Sequence, residues 1–197
     1  MIEIYKDRTV EQKPASQCIN ADLLTLFKLP VVVWCKLYRS SIWKNIRFPA
    51  GLKHEDDYVN PQVVLAAHKI VGNEKCYYYY NKTNENSIMA GRNITRRYIY
   101  FLCGLQKIKA VEGRFPELYP YAVTKAFDQA FKAWNSNVYT HYLTNQQQQE
   151  IEDFIDKYSK DKNLLPFCLK VQLLAYYHCR FINKLKGFYY LIKYRDK

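Results

Sequence analysis

Glu55-Asp56-Asp57-Tyr58-Val59-Asn60-Pro61-Gln62-Val63-Val64-Leu65-Ala66-Ala67-His68-Lys69-Ile70-Val71 is the stretch on which the fold turns. Its apolar positions Val59, Val63, Val64, Ala67 and Ile70-Val71 recur at helical spacing, which predicts a helix over 57–71. Pro61 then falls in the first turn, where a missing N–H is tolerated. The acids stand at the helix N-terminus, whose partial positive charge and unpaired N–H groups favour an ionised carboxylate. An ionised, oriented carboxylate is what a general base needs to take a proton from a hydroxyl at neutral pH. The same residues would also serve as plain helix caps, so the neighbouring sequence has to decide.

Upstream, residues 1–30 are weakly patterned, apart from a short amphipathic run Ala21 to Leu29 that Asn20 could cap and Pro30 would stop. Val31-Val32-Val33-Trp34 is β-branched and apolar and predicts a buried strand with Trp34 in the core, although an aromatic ring there could also stack on a sugar. Pro49-Ala50-Gly51 marks a turn. Downstream, Cys76 to Tyr80 reads as an aromatic strand and Asn81 to Asn86 as a loop. Past Gly91 the pattern becomes helical. Tyr98, Phe101, Leu102, Leu105, Ile108 and Val111 form one stripe, and Val123, Phe127, Phe131, Trp134 and Val138 a second. A third helix is expected from Thr144, which has capping-box spacing to Gln147, through Ile151, Phe154, Ile155 and Tyr158. The fourth stripe is Phe167, Val171, Leu174, His178, Phe181 and Leu185, with His178 expected as a core histidine.

The order of short elements around the acidic turn is more specific than any one of them. Trp34, Lys36, Leu37 and Tyr38 come first, then Ile46, Phe48, Pro49 and Gly51, then Glu55 and Asp56, then Tyr78 and Tyr80, and finally Ser87 and Ile88. This ordered set, spanning residues 31 to 92, resembles the acceptor-binding half of bacterial family 2 glycosyltransferases, which have the GT-A fold. The resemblance implies that Asp56 is the catalytic base and that Glu55 and Asp57, with Trp34, Lys36 and Tyr38, bind the acceptor. It implies positions near the donor for His54, Ser87 and Arg92. It implies inverting transfer from a nucleotide-sugar to a saccharide acceptor, lipid-linked or belonging to a cell-envelope polysaccharide, on the cytoplasmic side of the membrane. Family members also carry a nucleotide-sugar half with an Asp-x-Asp motif that holds manganese or magnesium. No Asp-x-Asp occurs here, so the chain alone is expected to be inactive, with no cofactor of its own, and the metal is expected only with that other half.

The expected architecture is α+β and predominantly helical: a partial GT-A acceptor region over 1–92 with a few strands, then a helical module over 93–197. At 197 residues, nearly half of them apolar or aromatic, the chain can build a substantial core. Thirty Lys and Arg against eighteen Asp and Glu give a net charge of +12, which favours anionic partners. The six cysteines show no CxxC, and His68, His141 and His178 lack ligand spacing, so no protein-held metal is expected. No stretch of about 20 uncharged apolar residues is present. Residues 184–197 mix basic and aromatic side chains, which suits an anionic membrane surface. Nucleic acid is not expected, since the positive residues are dispersed and no recognition motif accompanies them. A non-catalytic module that pairs with another chain or with itself is the remaining alternative, because a half-fold would leave a face uncovered.

Overall fold

The computed structural model describes residues 22–29, 31–34, 36–71, 78–79, 81, 83 and 94–178, and the backbone alone of 2–4, 10–12 and 80. The expectations for Ser87, Arg92, Phe181, Leu185 and residues 184–197 lie outside these. The described chain is mostly helical. In order come β1 (Ile2–Ile4), β2 (Val10–Gln12), α1 (Leu23–Phe27), a 3₁₀ turn (Ser40–Lys44), α2 (Glu55–Ala66), β3 (Tyr79–Asn81), α3 (Arg96–Val111), α4 (Tyr119–Thr140), α5 (Asn145–Tyr158), a second 3₁₀ turn (Ser159–Leu164) and α6 (Phe167–His178). The three short strands pair in the order β2-β1-β3, antiparallel and then parallel.

Helices α3 and α4 form the centre. Phe101, Ile108 and Val111 from α3 meet Ala122, Val123, Ala126, Phe127 and Ala130 from α4, all essentially inaccessible to water. The alanines let the two backbones approach. A Cβ placed on Gly104 would lie 2.8 Å from the Cα of Ala126, so glycine is required there for packing rather than for its torsion. Helix α5 adds Ile151, Phe154 and Ile155, and its start is the expected capping box. Gln147 N–H donates to the Thr144 hydroxyl at 3.2 Å, and the Gln147 side chain accepts from Thr144 N–H at 3.1 Å. Phe27 of α1 and Val64 of α2 join this same cluster.

A second, smaller cluster holds Ile46, Val59 and Val63, with Tyr38, Ile42, Trp43 and Tyr58 against it. It fastens the 38–48 segment to α2. The Arg47 guanidinium helps by donating to the carbonyls of Trp43 and Ile46.

Four local readings are corrected. Val31 to Trp34 is no strand and is only half-buried, because no neighbouring strand pairs with it among the described residues. Helix α1 is capped by Asp22, whose carboxylate accepts from Thr25 N–H at 2.7 Å, and not by Asn20. Helix α2 begins at Glu55 and ends at Ala66, earlier than its apolar spacing suggests, so Pro61 lies inside it. The Asp57 carbonyl therefore receives no intrahelical bond from residue 61. In α6 the predicted stripe is the wrong face: Leu169, Leu173 and Ala175 are buried, while Phe167, Val171, Leu174 and His178 are exposed. That helix is apolar on both sides, so periodicity could not choose.

Gly104→Ala should lower stability by about 1–3 kcal/mol through overpacking against Ala126. A lower urea midpoint at unchanged slope would record it, and an unmoved midpoint would mean that α3 and α4 can part at no cost.

Candidate functional site

The three acids occupy the first turn of α2, and each meets a different environment. Residue 54, just before them, is the helix N-cap, and it is a histidine at φ 60°, ψ 37°, in the left-handed region. Such a torsion is uncommon outside glycine and asparagine and costs of order 1 kcal/mol. Three contacts hold it. The His54 ring packs on Tyr100 of α3 with centroids 4.9 Å apart, and the His54 carbonyl accepts from Tyr58 N–H at 3.4 Å and from the Cys103 thiol at 3.9 Å.

Asp57 points into the protein. Its Oδ1 lies 2.5 Å from Nζ of Lys107, a lysine that α3 buries almost completely. Two oppositely charged groups taken out of water together must stay paired. The acceptor-binding role implied for Asp57 therefore competes with an internal partner that the sequence did not reveal. Cys103, wholly buried beside this pair, has its thiol pushed up to about 12 by burial first and then by the charge of Asp57. It is inert as a nucleophile near neutral pH.

Asp56 is half-buried. Its Oδ1 accepts from Asp57 N–H at 2.8 Å, the favourable helix-end contact expected from sequence. Burial outweighs that contact, and with Glu55 and Asp57 close by the Asp56 carboxyl is raised above its ordinary value. The expectation that the helix end lowers it is thus reversed. A raised carboxyl is a stronger base once ionised.

Tyr38 is drawn to the same place. Its phenol is raised by burial and then by the charge of Asp56, which puts the two within electrostatic reach. The Tyr38 ring meets Trp43 edge-on at 5.2 Å, and Trp43 stacks on Phe48 at 5.2 Å. This aromatic row was legible only at Tyr38 and Phe48, because Trp43 sits in a 3₁₀ turn without periodicity. Trp34 and Lys36 are half-buried on the approach to Tyr38, and the Trp34 ring stacks on Tyr78 at 5.0 Å instead of entering the core.

A cleft of about 190 Å³ opens behind the acidic turn, with Asp57 rather than Asp56 on its wall. Lys107, Tyr100 and Gly104 line it from α3, and Tyr121 and Lys125 from α4. The ammonium groups of Lys28 and Lys125 lie 5.3 and 5.5 Å from the centroid of the Tyr121 ring. Among the described residues no cluster of His, Cys, Asp or Glu is arranged to hold a metal ion. Cys103 and Cys168 are free thiols.

Comparison of the chain with protein-family models, with curated proteins and with solved structures finds no match.

Two predictions separate these environments. Lys107→Ala should destabilise by about 3 kcal/mol, since it strands the Asp57 charge, and Asp57→Leu in the same chain should recover much of that. Urea denaturation of the double-mutant cycle measures the coupling, and additive losses would refute the pairing. Asp56 has the opposite sign. A carboxyl raised by folding holds its proton more tightly in the folded state, so it withdraws stability as pH climbs from the unfolded value of about 3.9 through the folded one. Asp56→Asn should therefore raise the melting temperature at pH 7 and leave it nearly unchanged at pH 3. A lower melting temperature at pH 7 would identify Asp56 as chiefly a cap.

Proposed function

We propose that this chain is a family 2 glycosyltransferase-like protein, with an α+β arrangement of partial GT-A character, whose acidic turn receives the acceptor of a sugar transfer. The observation that carries the reading is Asp56: a half-buried carboxylate, raised by burial, in the first turn of α2 and within reach of Tyr38 and its aromatic row. Sugar rings stack on aromatic faces, and an acceptor hydroxyl beside Asp56 would give up its proton as it attacks the anomeric carbon of the donor. The nucleoside diphosphate leaves from the opposite side, which inverts the configuration. Glu55, half-buried like Asp56, would accept a second hydroxyl, and Asp57 acts through position, holding the turn against α3 by way of Lys107.

Divalent metal enters the family's chemistry through a donor half. The carboxylates described here do not suit it, with Asp57 bound to Lys107. No described helix is long and apolar enough to cross a membrane. A cytoplasmic setting on the inner face of the cell membrane, with a lipid-linked or cell-envelope saccharide as acceptor, goes with the proposal.

Saturation-transfer NMR with a panel of cell-envelope saccharides tests acceptor binding directly. Trp43→Ala and Asp56→Asn should each weaken a bound saccharide by about tenfold, the former through lost stacking and the latter through a lost charge-assisted hydrogen bond. In a complete transfer reaction Asp56→Asn should cost roughly 10²–10⁴-fold in turnover. A chain that contacts none of the saccharides, or turnover that survives Asp56→Asn, would overturn the reading.

A further inference from the structure

Helix α6 poses a problem that the packing does not solve. One face, with Leu169, Leu173 and Ala175, is buried in the main core. The other is just as apolar and faces outward: Phe167 is 81% exposed, Leu174 61%, Tyr177 46% and Val171 38%, and Leu164 in the preceding 3₁₀ turn continues the row at 38%. Residues 167, 171, 174 and 178 share one side of a helix, so these side chains form a continuous stripe and not a scatter of single residues.

The sequence that carries this stripe is basic. From Lys157 to the last residue the sequence carries ten Lys or Arg and two Asp, a net of +8 out of the chain's +12. Lys160 and Lys162 are exposed in the 3₁₀ turn just before α6, and Lys170 is the one charged side chain within that helix. The two acids nearest the stripe are turned to tyrosines: Asp156 accepts from the Tyr177 hydroxyl at 2.7 Å and Asp161 from the Tyr119 hydroxyl at 3.0 Å. The sequence from residue 157 onward is strongly positive even with these acids counted.

We infer that the outer face of α6 is a docking surface for a bilayer rich in anionic lipid. The apolar row would enter the headgroup–acyl boundary while Lys160, Lys162 and Lys170 reach the phosphates. Charge complementarity selects this occupant over a second copy of the chain, because the sequence from Lys157 onward carries a net +8 that a second copy would repeat and an anionic surface would neutralise. The inference does not rest on the saccharide reading, since it uses none of the residues of the acidic turn.

Sedimentation of the full-length chain with sucrose-loaded vesicles decides it. Vesicles of phosphatidylcholine and phosphatidylglycerol should bind the chain at least tenfold better than phosphatidylcholine alone, and 0.5 M salt should remove most of the difference. Phe167→Asp and Leu174→Asp should each lower the partition coefficient by about tenfold or more, with the far-UV circular dichroism and melting temperature unchanged. Three results would overturn the proposal. One is failure to bind anionic vesicles. Another is binding that both variants retain in full. The third is a melting temperature that falls several degrees in both variants without vesicle binding, which would mean that the stripe is covered by the chain itself. A concentration-dependent dimer abolished by Leu174→Asp, with no vesicle binding, would assign the face to a second copy.

Discussion

The contact between Lys107 and Asp57 is the constraint around which the acidic turn is organised. A lysine on a face of α3 that is otherwise Phe101, Ile108 and Val111 has no reason to be buried except its partner, and an aspartate turned toward that face has none either. Removing both charges from water is expensive, and their attraction roughly offsets the expense only while the pair is intact. Such a pair adds little net stability, but it fixes position, because sliding α2 by one turn along α3 would leave two unpaired charges inside the protein. From this follows the different treatment of three consecutive acids. With Asp57 pulled inward, the 100° step of the helix turns Asp56 toward Tyr38, and Glu55 stands at the first position of the helix.

The residue ahead of the acids is set by the same arrangement. His54 takes a left-handed torsion, and its carbonyl and ring are both held by α3, through Cys103 and Tyr100. Glycine would enter that torsion without cost. What histidine adds is a ring against Tyr100 and a polar group within the field of Asp56, whose carboxyl it draws slightly downward against the larger effect of burial. The chain thus holds a basic group and a stronger-than-usual carboxylate side by side at the mouth of one turn.

Much of the helical half could be read from the sequence because propensity, periodicity and capping agree there. Phe101, Ile108 and Val111, and Val123, Phe127 and Phe131, fall where their spacing puts them, and Thr144 with Gln147 closes as a capping box. The failures have specific physical causes. Val31 to Trp34 has the composition of a strand, but strand propensity reports fit to a pleated neighbour, and none is paired with it among the described residues. Pro61 was expected to mark a helix start, whereas packing of Val59, Val63 and Val64 carries α2 through it. Asp56 and Glu55 were visible as candidates because acids at a helix start form a local pattern. Lys107, Tyr100 and Trp43 were not, since they reach the site from 50, 46 or 13 residues away in sequence and only the tertiary fold brings them there.

Stability alone would have chosen differently at several positions, and those positions are not spread evenly. Glycine at 54, alanine at 61 and a neutral side chain at 56 would each ease a local cost: a left-handed torsion, a proline inside a helix, a carboxylate losing water. All three lie within eight residues, at the N-cap of α2 or inside it, and an ion pair also locks that helix in register. Another departure is the outer face of α6, where a polar stripe would have been the ordinary solution for a surface helix. Helices α3, α4 and α5 follow packing and patterning through most of their length, but Lys107 is buried in α3, and in α4 Asn135 is buried without a hydrogen-bond partner and His141 is left-handed at the C-cap. Rules relaxed against an otherwise consistent fold are how proteins behave where something other than folding is being served. At the acidic turn the relaxed rules concern charge and torsion, which are the variables that tune a base. At α6 they concern apolar exposure, which is the variable that tunes attachment to a surface.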